Sequence, residues 1–218
     1  MSKITVAGAG AFGSALAVAL DMAGREVTLV GRNVDAFRTS RDNPRLKGVP
    51  IPESITLATE LNVTRDDILL LAVPMQALSG YLEQTRPTPK AAVACSKGVD
   101  LASGRGPTAI IDDLLDAPSA ILTGPSFAAD IARGLPTALV IATQSDTGAD
   151  LQETLSTDTL RLYLSDDPIG AELGGALKNV IAIACGICIG AGLGESARAA
   201  LMTRGMAEML RMAVAMGA

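Results

Sequence analysis

Lys3-Ile-Thr-Val-Ala-Gly-Ala-Gly-Ala-Phe-Gly-Ser-Ala-Leu-Ala-Val-Ala-Leu-Asp-Met-Ala-Gly-Arg-Glu-Val-Thr-Leu-Val30 is the stretch that decides the fold. Residues 3–7 are a short apolar, β-branched run and read as a buried strand. Residues 11–23 are good helix formers, stopped by Gly24. Residues 26–30 read as a second strand. A strand, a helix and a strand within thirty residues make one β-α-β unit, whose two strands lie parallel. Gly8-Ala-Gly-Ala-Phe-Gly13 closes the strand and opens the helix. In that context Gly8, Gly10 and Gly13 permit a tight turn and close backbone approach. A pyrophosphate can then rest on the helix N-terminus.

The alternation continues outward. Residues 68–73, 91–95, 120–123 and 138–142 are near-continuous apolar runs separated by helical or turn-rich segments. Such strands belong to a mainly parallel sheet covered on both faces. Residues 42–54, with Pro44, Pro50 and Pro52, read as an irregular loop. Past Asp166-Asp-Pro168 no strand is expected. Residues 169–189 and 195–216 read as helices joined by a glycine-rich turn, which puts a domain boundary near 167. The expected domains are 1–167 and 168–218.

Composition narrows the function. The 218 residues are 49% hydrophobic and 2% aromatic, with net charge −5. Acidity disfavours nucleic-acid binding, and five aromatic rings cannot build a base-stacking platform. Three cysteines favour a reducing compartment, with the cytoplasm as the expected location. Cys185-Gly-Ile-Cys188 has redox or metal spacing, but in a glycine-spaced apolar helix it reads as small-residue packing, and no metal site is expected. The longest uncharged run, Asn179 to Gly194, is short for a membrane span and reads as a buried core helix.

The chain has no histidine. If the protein moves protons, histidine cannot be the acid or base, and Lys178 lies in Gly174-Gly-Ala-Leu-Lys-Asn-Val-Ile-Ala-Ile183, where it is either a buried amine or a lysine at a helix start whose head reaches back to water. An amine buried in such a stretch has its pKa lowered toward a useful value. Lys97, in Ser96-Lys97-Gly98, follows a strand and points into the crevice at the carboxyl end of the sheet. Gly124-Pro-Ser-Phe-Ala128 follows another strand, and Ser126 can cap the next helix. After the second strand stands Arg32, where an NAD-specific site usually offers a carboxylate to the ribose. A guanidinium there suits a 2′-phosphate, so NADPH is favoured, with NADH as the alternative.

These motifs together resemble the NAD(P)-dependent glycerol-3-phosphate dehydrogenases of the bacterial type. Gly8–Gly13, Ser96–Asp100, Gly124–Ala128, Leu135–Ala138, Gly174–Ile183 and Ala199–Met209 occur in the family's order across essentially the whole chain. The resemblance implies a Rossmann-like doubly wound α/β domain with a mainly parallel sheet. The start of an all-helical substrate domain follows it, in proteins that often pair into homodimers. It implies reversible reduction of dihydroxyacetone phosphate to sn-glycerol 3-phosphate, supplying phospholipid synthesis. Ala11, Phe12, Arg32 and Ala128 fall at cofactor positions. Lys97 falls where cofactor and substrate are both touched. Gly124 and Ser126 fall at substrate positions, and Lys178 at the proton-transferring lysine. Asn179 could orient Lys178 or hydrogen-bond the substrate.

Two positions depart from the family, which usually has Asp at Ile189 and Asn at Ser196. The family also has a later segment with Gly-Asp and Ser-Arg-Asn motifs, which grips the substrate phosphate. Its absence from these residues is expected to mean either a fragment or a shortened form. Two other readings stand beside the dehydrogenase. One is a non-catalytic dinucleotide-binding module, and the other is a ketopantoate or β-hydroxyacid-type reductase.

Overall fold

The structure is a computed structural model that describes residues 2–218. Its first strand β1 (Ile4–Ala7) leads through the glycine turn into α1 (Ala11–Met22) and back to β2 (Val27–Val30). Gly24, at φ +75°, reverses the chain after α1 in a conformation open to glycine but costly for other residues. The remaining strands are β3 (Thr56–Ala58), β4 (Ile68–Leu71), β5 (Ala91–Ala94), β6 (Ser119–Thr123), β7 (Thr137–Ala142) and β8 (Leu160–Ser165). Between them run α2 (Leu78–Thr85), α3 (Pro107–Leu114), α4 (Ala128–Ala132) and α5 (Gly148–Leu155).

All eight strands form one sheet in the order β3-β2-β1-β4-β5-β6-β7-β8. Neighbours are parallel except β6 and β7, which pair antiparallel. The chain winds outward in both directions from β1. The crevice beyond the carboxyl ends of β1 and β4 is therefore the switch point at which ligands of such sheets bind.

Strand alternation sorts the core into two layers. Ile4, Val6, Ile68 and Leu70 face one side with α1, α4 and α5, while Leu69, Leu71 and Ala92 face the other with α2 and α3. Each of these strand residues is fully enclosed. A large-to-small change at Leu70 should cost about 2–5 kcal/mol, the usual range for a filled core.

After the sheet come two long helices, α6 (Pro168–Gly190) and α7 (Gly194–Ala215). They pack on one another through Gly205, where a Cβ would press on Ile181 Cδ1 at 2.6 Å. The buried-helix expectation for residues 179–194 is wrong. Val180, Ile183 and Ile187 are each at least 60% exposed, and in α6 only Leu173 and Cys188 are buried. An apolar run specifies a surface that gains by burial, not a neighbour that provides it. By length and mean hydropathy α6 is also long and apolar enough to cross a bilayer. The strands β3 and β8 were not anticipated, because one is three residues long and the other is a partly exposed edge.

Candidate active site

The glycine turn is shaped by close contacts. Gly8, at φ +118°, passes so near β4 that a Cβ would lie 2.5 Å from the Ala72 carbonyl oxygen. A Cβ on Gly13 would collide with the Gly8 carbonyl oxygen, and one on Gly31 would sit 2.6 Å from Ala9 Cβ. Gly10 differs, since nothing lies within 4 Å of its added Cβ. It is the N-cap of α1 in extended backbone, and no side chain caps that helix. The first N–H groups of α1 thus face an open cradle suited to a dinucleotide pyrophosphate. Ala11 and Phe12, half-buried, form its first turn.

Asn43 holds this turn from below. Fully buried, it donates from Nδ2 to the Ala9 carbonyl (3.2 Å) and to Ser14 Oγ (2.8 Å). The sequence placed it only in a loop. The Asn-Pro pair marks a turn, but nothing local says where the side chain goes. Arg32 is exposed past Gly31 at the end of β2, with no side-chain partner among the described residues. Its guanidinium is free to meet an anion.

At the carboxyl end of β5, Lys97 Nζ donates to the Gly124 carbonyl at 3.1 Å and lies 5.9 Å from the centre of the Phe12 ring. Burial, and then the nearby positive charge of Lys178, push its pKa down from the ordinary lysine value. Lys97, Lys178, Gly124 and Phe12 therefore converge, although their positions span most of the chain. Lys178 itself is half-buried on a helix whose outer face is open.

Gly124 allows the turn after β6 to lie against Leu139, whose Cδ2 would be 2.8 Å from an added Cβ. Thr123 Oγ1 and Ser126 Oγ are buried beside it with no protein hydrogen-bond partner. Ser126 does not cap α4. The N-cap position is Phe127 and no side chain serves it, so the hydroxyl is left for another acceptor or donor. Ala128 begins α4 and packs on the core with Phe12. Asn179, next to Lys178, is exposed.

The cysteines Cys95, Cys185 and Cys188 are free, and burial pushes the Cys95 thiol up to about 12. No group of metal-ligating side chains assembles among the described residues.

A glycine cradle, a free arginine beyond β2 and two converging lysines are what a phosphorylated substrate and a dinucleotide would need. Residues 3–149 match the NAD-dependent glycerol-3-phosphate dehydrogenase N-terminus, and residues 167–218 match the C-terminus of the same family. The chain belongs to that family. Among its relatives, a glycerol-3-phosphate dehydrogenase (NAD(P)+) of Jannaschia sp. is 54% identical over 217 residues, covering 99% of this chain and 70% of its own. One from Cereibacter sphaeroides is 58% identical over 221 residues, covering 99% and 68%. The glycerol-3-phosphate dehydrogenase structure from Coxiella burnetii superimposes with TM-score 0.88 at 33% identity, covering 99% of this chain and 70% of that one. A ketopantoate reductase from Ralstonia eutropha shares the fold alone, with TM-score 0.55 at 19% identity.

Proposed function

We propose that this chain interconverts dihydroxyacetone phosphate and sn-glycerol 3-phosphate with NAD(P)H, NADPH being favoured, as a cytoplasmic supplier of phospholipid synthesis. The observation that carries the reading is the convergence of Lys97 and Lys178 at the carboxyl ends of β5 and β6. Family membership supplies the reaction class.

The cradle residues Gly8, Gly10, Ala11, Phe12 and Gly13 hold the dinucleotide, with Ala128 beside them, and Arg32 meets its 2′-phosphate. Bound nicotinamide supplies the two electrons. Lys178 stabilises the negative charge that develops on the substrate carbonyl oxygen and delivers the proton there. Lys97 adds positive charge next to the substrate, which offsets the repulsion between the two ammonium groups. Gly124, the Ser126 hydroxyl and Asn179 complete the substrate contacts. We place the boundary between the dinucleotide domain, 1–167, and the helical part, 168–218, at the start of α6. The protein is read as a possible homodimer with no membrane span. Against a span for α6 stand two charged residues within it, Glu172, which is bonded to Thr108 of α3, and Lys178, whose charge is felt at Lys97.

NADPH oxidation with and without dihydroxyacetone phosphate tests the reading. Oxidation that depends on the substrate, and that drops about 10²–10⁴-fold in Lys178→Ala with cofactor affinity retained, is the expected result. A Lys178→Ala variant with full turnover refutes the assigned role.

A further inference from the structure

Six residues before Lys178 on α6 stands Glu172, a half-buried carboxylate that the chemistry above does not use. Its Oε1 accepts two hydrogen bonds from one residue of α3, from Thr108 N at 2.7 Å and from Thr108 Oγ1 at 2.7 Å. Thr108 is the second residue of that helix, and no side chain of the local sequence caps its N-terminus. The residue before the helix is Gly106, and a Cβ there would collide with Glu172 Oε2. The carboxylate thus occupies the place where a capping Ser or Asp would normally reach. Burial pushes its pKa up, the two Thr108 donors pull it back, and Asp112 on α3 pushes up again.

The attachment of α6 to the sheet rests on few groups. Leu173 is the one buried apolar side chain in its first half. Gly175, one turn on from Glu172, lies so close to the end of β6 that a Cβ would be 2.7 Å from Thr123 Oγ1 and 3.8 Å from Lys97 Cγ. Asp167 caps α6 itself by accepting from Gly170 N at 2.8 Å. At 1.5 Å rise per residue, Lys178 stands roughly 9 Å beyond Glu172 along the axis. A small tilt of α6 at Glu172 is enough to move the amine by an ångström.

We propose that Glu172 is a positioning residue for the reaction: by lending its carboxylate as the N-cap of α3, it fixes where α6 holds Lys178 relative to Lys97. This rests on the activity proposed above for Lys178. A misplacement of about 1 Å costs on the order of 10²-fold in turnover, so the clasp acts on rate rather than on cofactor binding.

The test uses the full chain with Glu172→Ala, Glu172→Gln, Thr108→Val and, as reference, Lys178→Met. Steady-state NADPH oxidation with dihydroxyacetone phosphate should show kcat lowered about 10–100-fold in Glu172→Ala, with the KM for NADPH unchanged. Glu172→Gln should recover most of the rate, because its amide oxygen still accepts from Thr108. Thr108→Val, which removes one donor to Glu172 without changing a residue of α6, should fall between them. The second readout needs no turnover. Carbon-13 NMR of the methylated lysines follows the titration of Lys97, which carries the charge of Lys178 in its environment. In Glu172→Ala the Lys97 midpoint should rise toward that of Lys178→Met, and in Glu172→Gln it should stay near the parent. An unchanged Lys97 midpoint in Glu172→Ala overturns the clasp. If the parent itself does not turn over, the activity reading fails while the titration still decides the clasp.

Discussion

Gly10→Ala and Gly13→Ala should have opposite effects, one on binding and one on folding. At Gly10 the added methyl meets no protein atom within 4 Å, and the backbone is extended at φ −79°, ψ −177°, where alanine is unstrained. Alanine is a poorer N-cap than glycine by at most about 1 kcal/mol. It also removes unfolded-chain entropy worth about 0.4–1 kcal/mol. The two nearly cancel, so Tm should move by no more than about 2–4 °C in a chain of this size. The methyl does, however, stand in the cradle over the α1 N-terminus. Displacing a phosphate oxygen from one charge-assisted N–H bond loses about 1.5–3 kcal/mol, or roughly 10–150-fold in Kd. At Gly13 the methyl runs into the Gly8 carbonyl oxygen, which is rigid backbone. Overpacking of that kind costs about 1–3 kcal/mol or more, and Tm should fall by roughly 2–12 °C. Thermal unfolding and calorimetric titration with NADPH measure both variants. Unchanged NADPH affinity in Gly10→Ala would refute the cradle as the pyrophosphate site.

Two further outcomes are expected. Arg32→Asp should move the NADPH/NADH affinity ratio toward NADH by about 10²-fold, from a lost charge-assisted contact and a new repulsion; an unchanged ratio by titration excludes Arg32 from the 2′-phosphate site. Lys97→Met should abolish turnover while leaving the protein at least as stable at pH 7, because it removes a desolvated ammonium. The pH dependence follows from the direction of the shift. With its folded pKa below the ordinary 10.5, Lys97 binds fewer protons folded than unfolded, so its contribution to stability rises with pH across that interval. Cys95 and Tyr81, both pushed up to about 12, act in the opposite sense in parent and variant alike. Urea unfolding should therefore show the parent gaining on Lys97→Met between Lys97's folded midpoint and 10.5, and a constant difference would contradict the burial of Lys97.

The β-α-β start, the glycine turn and the apolar strands of the central sheet were legible because each is a local pattern. β8 was not, since Leu160-Arg-Leu-Tyr-Leu-Ser165 alternates on an edge and lacks the continuous apolarity of its neighbours. The residues proposed for the site were each marked by their own motif, Lys97, Lys178 and Gly124 among them, and the fold brings these three near one another. Ser126 is the exception in detail, because a serine two residues before a helix can cap it only if the chain turns at the right residue. Here the turn comes one residue later.

By itself the sequence determined which segments become strands and helices, where the glycines must stand, and that histidine is not among the groups available for proton transfer in these residues. Those are matters of periodicity, steric freedom and side-chain chemistry within a few residues. Only the tertiary structure decided which charges share a space. It brought Lys97 near Lys178, tied Asn43 to Ser14 and set Glu172 over the N-terminus of α3, 64 residues away in the chain. It also left the apolar face of α6 open where burial was expected. Burial and electrostatic coupling depend on what arrives from elsewhere in the fold, and that is a property of packing rather than of any one segment.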